Sequence, residues 1–349
     1  MPYNNIGSTK YTIDSAGHIS NGAGTSSTVM GMMANDAAPS SANAFLMSEL
    51  EKRDTLVRKP LTTYTWEKNI PVKVGGGWAE YASNLNIDYG LSGGTANGPV
   101  HANGSNSVPV VQGNFGKDLY KAHIVAMFLR INEFDAERAQ ITGRSLDQLL
   151  TDGVRLAYEK HMDANVFVGL SDYGTTGLLN NPNVIAQSVA KGASTKTTWK
   201  DKTADEILDD INGAITTVWE RSGNDMSAIP NHILLPFGQY NYIATTKVSP
   251  LAEKTILTFL QENNICNING GDLVFGMSNY AKGAGASSTD RMAVYVDDAR
   301  FIAVEELQPL TRRRTIYNSD ALAMDTLYAA NVSEVEMFYN QTIGYFDGI

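Results

Sequence analysis

SLDQLLTDGVRLAYEKHMDANVFVGLSDYGTTGLLNNP, residues 145–182, is the stretch on which the rest of the chain turns. Ser145 with Gln148 three residues later has the form of a capping box, in which each side chain satisfies a backbone N–H that the first helical turn leaves unpaired. At about 100° per residue, Leu146, Leu149, Leu150, Val154, Ala157, His161, Ala164, Phe167 and Val168 fall on one side. Asp152, Arg155, Glu159 and Asp163 fall on the other, and Gly169 supplies the stop. The spacing predicts an amphipathic helix of about 24 residues, roughly 36 Å long and about twice the usual globular length. A helix that long, carrying no reactive chemistry, serves as a beam.

Outward toward the N-terminus, Leu119–Phe134 reads as a strand in which His123, Ile124, Val125, Met127, Phe128, Leu129 and Ile131 give two largely apolar faces. A short helix follows from Asp135, ended by Gly143. Before the strand, Leu61 to Gly116 carries aromatic and β-branched residues in short runs (Tyr64, Trp66, Ile70, Val72, Val74, Trp78, Tyr81) broken by glycines. Pro99 and Pro109 exclude central-strand hydrogen bonding nearby. A stretch of more than fifty residues with so little helical signal is too long for an ordinary connection, and predicts a projecting, extended hairpin. Trp66 and Trp78 have two readings, as anchors of an interface or as packing against the chain's own body. A helix is predicted over Ser41–Arg58, ending before Pro60. Residues 1–40, rich in Gly, Ser, Asn, Thr and Ala, cannot build a core of their own, so ordering them needs hydrogen-bond partners from elsewhere.

Toward the C-terminus, a helix is predicted over Thr203–Arg221, with Ile207, Leu208, Ile211, Ile215, Val218 and Trp219 as its apolar stripe. IPNHILLP is a short strand between Pro230 and Pro236, Gln239–Ala244 starts another helix, and Pro250 opens a third. Short strands alternating with helices predict an α/β lobe. RMAVYVDD, FIAVEEL and LYAANVSEVEMFY then make the end of the chain β-rich.

Composition narrows the function classes. The 349 residues carry 43% hydrophobic side chains, enough for a substantial core and about two domains of chain. A formal net charge of −10 disfavours a broad phosphate-binding surface. The one basic run, Arg312–Arg314, reads as a solvated face or an inter-subunit contact. The single cysteine, Cys266, excludes an intramolecular disulfide and reads as a small buried hydrophobe. No apolar run approaches the roughly 20 residues of a membrane helix, and no membrane partner is expected.

No catalytic constellation emerges, and no catalytic, cofactor-binding or metal residue is assigned. His18, His101, His123, His161 and His232 lack the spacing that would put zinc ligands on one helix face. His123 and His161 read as packing residues. Gly276 to Tyr280 lacks the closing glycine of a nucleophile elbow, and KGAGASS lacks the third glycine of a dinucleotide fingerprint. Asp209/Asp210, Asp297/Asp298 and Glu305/Glu306 are sequence neighbours that point apart, and read as solvated faces. The chain is not expected to be an enzyme or to need a cofactor.

The order of these parts resembles the major capsid protein of tailed phages, whose fold is shared with encapsulins and the herpesvirus capsid floor. EFDAERAQITGRSLDQL, leading through AYEKHMDANVFVGLSDYGTTGLLNNPNV, is similar to the spine helix and following turn of such proteins. IPNHILLPFGQYNYI is similar to their axial-domain strand and helix, and AVYVDDARFIAVEELQPL to the return into the peripheral domain. The resemblance implies an α+β fold with an N-terminal arm (1–59), an extended loop (60–118), a peripheral domain with spine helix (119–182), an axial domain (183–310) and strands returning to the peripheral domain (311–349). It implies a head protein that self-assembles as hexamers and pentamers into an icosahedral shell around double-stranded DNA bound non-specifically, located in the virion and assembled in the host cytoplasm. The arm is too short to hold a fused scaffolding domain, so a separate scaffolding protein is expected, with portal and decoration or minor capsid proteins as further partners. The helix's polar stripe would then face a shell surface or a neighbour. Two alternatives are an encapsulin-like compartment and a Gly-rich adhesin or glycan-binding protein using Trp66 and Trp78.

Overall fold

The computed structural model describes residues 3–6, 9–13, 19–21, 64–93, 108–141, 146–249 and 253–349. The chain divides into two compact units, Met1–Thr62 and Thr63–Ile349. In the first, β1 (Tyr3–Ile6), β2 (Thr9–Ile13) and β3 (Ile19–Asn21) form an antiparallel meander with Asn4 opposite Tyr11 and Tyr11 opposite Asn21. The arm thus supplies strand partners from within itself, where the composition pointed to partners from elsewhere. The helix predicted over Ser41–Arg58 and the cap at Ser145 lie outside the described residues.

The second unit begins with β4 (Val72–Val74), β5 (Tyr81–Ser92) and β6 (Val110–Asn132). The helices α1 (Glu133–Ile141) and α2 (Leu146–Phe167), the spine, come next, followed by β7 (Ala186–Ser188), α3 (Ala204–Arg221), β8 (His232–Pro236) and α4 (Phe237–Thr245). Then come α5 (Ile256–Glu262), α6 (Ile265–Ile268), β9 (Val274–Ser278), β10 (Arg291–Tyr295) and β11 (Ile302–Glu306). The chain closes with β12 (Gln308–Asn318), β13 (Ala323–Ser333), β14 (Val335–Met337) and β15 (Ile343–Asp347).

These strands build three sheets, ordered β7-β15-β10-β8-β9, β14-β11-β4 and β12-β13-β6-β5. In the five-stranded sheet the side chains alternate between two cores. Met292, Val294, Ile233, Leu235 and Phe346 pack toward α3 with Trp199 and Ile211. Ala293, Tyr295, Leu234 and Tyr345 pack toward the spine with Met162 and Val166. A sheet covered on both faces needs unbroken apolar strands, which is why HILLP and IGYFD are buried at every position. The strands predicted to return over residues 311–349 divide between sheets. β12 pairs with β13 and β13 with β6, whereas β15 lies between β7 and β10 in the α/β lobe, because its residues are buried on both faces.

β6 is one strand of 23 residues, reaching roughly 75 Å at about 3.3 Å per residue. Residues 110–121 pair with β5 and residues 122–132 with β13. The boundary placed at 118/119 therefore falls inside a continuous strand.

The spine ends in a junction of backbone against backbone. Leu178 and Leu179 donate their N–H groups to the carbonyls of Val166 (2.7 Å) and Phe167 (3.0 Å). The Asn180 side chain donates to the Val168 carbonyl (2.6 Å) and accepts from the Gly177 N–H (2.7 Å). The carbonyls that a helix C-terminus leaves unpaired are thus filled by the turn that follows it. This works only with glycine. Gly169 has φ +75°, and a Cβ there would lie 2.7 Å from the Thr175 carbonyl oxygen; one on Gly177 would lie 2.5 Å from the Phe167 carbonyl carbon. Gly177→Ala is expected to lower unfolding stability by at least about 1–3 kcal/mol through overpacking. Gly153→Ala, on the spine where a Cβ meets nothing within 4 Å, should raise it by about 0.5–1 kcal/mol. Denaturant melts of the two variants check both signs.

Candidate functional site

Among the described residues no group of three or more His, Cys, Asp or Glu side chains is placed to hold a metal ion. Cys266 is buried, and burial pushes its thiol above the usual range, so it is a packing residue. His232 is buried with Nε2 3.1 Å from the Asn69 Oδ1, and burial lowers its pKa to about 4. Of the acidic pairs read as solvated faces, Asp210 is no solvated residue. It lies 2.5 Å from the Lys202 ammonium, both side chains buried, and accepts from the Trp199 indole. His123 and His161, read as separate packing residues, come together with their Nε2 atoms 3.2 Å apart.

The polar stripe of the spine is half internal. Residues 64–70 cross the helix, and the Thr65 N–H donates to Asp163 (2.9 Å) while the Trp66 indole donates to Glu159 (3.0 Å). Glu159 is 5% and Asp163 8% exposed, and burial raises both carboxyl pKa values against these hydrogen bonds. Asp152 and Arg155 remain exposed. The buried apolar face is centred on Tyr158, Met162 and Val166, while Ala157 and Val168 from the predicted stripe are exposed. Trp66, at 2% exposure, packs against its own chain. The Arg313 guanidinium sits 4.5 Å over the Trp78 ring, and Arg312 lies 3.6 Å from Asp147 on the spine. A glycan platform built on the two tryptophans is therefore not formed.

Among the described residues the β5–β6 hairpin carries a row of exposed large hydrophobic side chains. Twelve residues of β5 pair in register with β6, from Tyr81 opposite Lys121 to Ser92 opposite Val110. Period-2 alternation sorts the two faces. Leu85, Ile87, Tyr89 and Leu91 share one face with Val111, Phe115 and Leu119, whereas Asn84, Asn86 and Asp88 share the other with Asn114 and Asp118. Leu85 is 75% and Phe115 71% exposed. Farther along the same face of β6, Val125 and Met127 pack against the spine-side core and Leu129 is buried. This face of the strand carries two apolar stretches, with Lys117 beside the first and Lys121 and His123 between them; the second stretch is covered and the first is open.

The hairpin root is firmly tied. Lys121 donates its N–H to the Glu334 carboxylate (2.9 Å) and its ammonium to the Tyr173 carbonyl (3.2 Å), and the Tyr120 hydroxyl donates to the Met337 carbonyl (3.0 Å). Asn331 donates to the carbonyls of Gly77 and Ala79 from the other side. A tied base carrying an open apolar blade is an arrangement for contact with another macromolecule.

A family profile described as "Major capsid protein" matches residues 94–349. The capsid of Myoviridae phage XM1 superposes with a TM-score of 0.71 at 16% identity, covering 86% of this chain and 98% of that one. The capsid of a native GTA particle gives 0.60 at 11% identity, with 89% and 98% covered. A protein of Microbacterium phage Oxtober96 gives 0.58 at 11% identity, with 87% and 98% covered. No curated protein matches. At these identities the structures share the fold. Asp163→Ala, which strands the half-buried Thr65 N–H, should cost about 1–3 kcal/mol in chemical denaturation. Asp147→Ala, which removes only the exposed pair with Arg312, should cost less than about 1 kcal/mol.

Proposed function

The chain belongs to the major capsid protein family, and from that premise we propose that its subunits close into hexamers and pentamers of an icosahedral shell around double-stranded DNA. It is a structural capsid protein that self-associates and is located in the virion capsid. The observation that carries the finer reading is the open apolar face of the hairpin. Each large side chain such as Leu85 or Phe115 is worth about 1.5–3 kcal/mol when buried, and none of the described residues of its own chain buries it. A second copy of the subunit supplies the missing cover, so order in the shell and stability of the hairpin are gained together.

Residues 1–59 serve in this reading as the arm, 60–118 as the extended loop, 119–182 as the peripheral domain, 183–310 as the axial domain and 311–349 as the return. Two features temper these limits: β6 runs through 118, and β15 belongs with the lobe. A net charge of −10 suits a wall that encloses DNA without gripping it. A separate scaffolding protein, a portal and decoration or minor capsid proteins complete the set of partners, with assembly in the host cytoplasm. An encapsulin-like compartment uses the same fold, and the contents of purified shells, nucleic acid or a protein cargo, separate the two.

Phe115→Asp should abolish shells in electron micrographs and leave a small species in sedimentation. Its melting temperature should match that of unassembled wild type, because the side chain is already in solvent. Shells of normal diameter from this variant would contradict the proposal.

A further inference from the structure

We propose that His123 and His161 form an acid-sensitive latch that fastens the root of the hairpin to the spine helix and opens when the pair takes up protons. His123 stands on β6 opposite Val332, two residues beyond the last residue paired to β5. It is therefore placed where the strand passes from the hairpin into the four-stranded sheet. Its Nε2 meets the His161 Nε2 on α2 at 3.2 Å, with the rings at 75° and their centroids 5.4 Å apart. Tyr173, from the turn after the spine, stacks on the outer side of His123 at 6.0 Å. Strand, helix and turn meet at this one pair.

The proton inventory of the contact follows from its surroundings. The His123 Nδ1 is buried and has no hydrogen-bond partner. An unpartnered acceptor there costs less than an unpartnered N–H, which assigns the proton of His123 to Nε2, donating to His161. A proton added to the His161 Nε2 sets two N–H groups against each other at 3.2 Å and destroys the bond. Burial, and then the neighbouring His161, hold the His123 pKa down at about 4, and burial lowers that of His161. Both imidazoles are thus neutral above about pH 6.5, and the contact loses stability as pH falls from there toward 4.

The charges around the pair do not rescue it. Lys121, whose ammonium is bound to the Tyr173 carbonyl, adds positive charge. Glu80 and Tyr81 line, with Lys121, His123 and Tyr173, a cavity of about 250 Å³ beside the ring, and neither bonds an imidazole. On the far face of β6, Tyr120 lies near Asp118, Glu334 and Glu336. Glu336 is held at about 7 by burial and then by Glu305, so its cost is present at high pH and relieved by acid. It therefore works in the opposite sense and cannot imitate the latch.

The inference concerns the unassembled subunit and does not rest on how shells close. Hydrogen exchange of the full-length, unassembled protein at pH 7.5 and 5.0, corrected for intrinsic rates, tests it. Amides of residues 119–125 and 330–334 should lose protection about tenfold at pH 5.0 in wild type. They should be unchanged between the two pH values in the His123→Phe/His161→Leu double variant. Should that variant fail to fold, His161→Gln, which keeps an acceptor for His123 but takes no proton, should show a smaller loss than wild type. Equal protection of wild type at both pH values, or a wild-type-sized loss in whichever variant folds, would overturn the latch.

Discussion

A β-strand has two faces, and each must meet either water or a packed layer. β6 fulfils this rule along 23 residues in two different ways. Its root half lays Val125 and Met127 against the core that contains the spine helix, and its outer half presents Leu119, Phe115 and Val111 on the same face, uncovered by any of the described residues. Two-stranded ribbons are marginal in water even when amphipathic. This one is held out by its root, where Tyr120, Lys121 and Asn331 tie it to the small sheet and the turn after the spine. The subunit is in this sense incomplete by one layer.

The remaining architecture serves to make the base stiff. The spine is clamped by buried carboxylates at Glu159 and Asp163, which accept from residues 65 and 66. Its C-terminus closes onto Gly177 to Asn180 with no room for a single methyl group. The five-stranded sheet shares side chains with both cores, so the α/β lobe and the spine side cannot move independently without opening buried contacts. A shell subunit needs such rigidity because small errors of angle accumulate around a closed surface.

Much of this was legible in the sequence where local patterns decide. The long helix, its glycine stop, the extended hairpin and the α/β lobe were all readable from residue spacing. What was misread depends on partners far away in the chain. Glu159 and Asp163 look like an exposed stripe until Thr65 and Trp66, more than ninety residues earlier, donate to them. Pro109 and the glycine-broken character of Leu61 to Gly116 placed the start of the strand at Leu119, yet the strand runs unbroken from Val110 through Gly113 and Gly116. In a ribbon with one uncovered face, those glycines sit opposite Tyr89 and Asn86 without interrupting the ladder. β15 resembles β13 in composition, and only pairing with β10 and β7 sends it to the other sheet. The His123–His161 contact joins residues 38 apart on a strand and a helix, beyond any motif.

The central claim is that the open face of the hairpin is closed by another copy of the chain. Cys266 is buried and its thiol pKa is raised, so one engineered cysteine can report alone. With Ile87→Cys, the rate of alkylation by a small maleimide can be compared in unassembled subunits and in purified shells. The thiol should react rapidly in subunits and at least tenfold more slowly in shells. Equal rates in the two states would contradict the account.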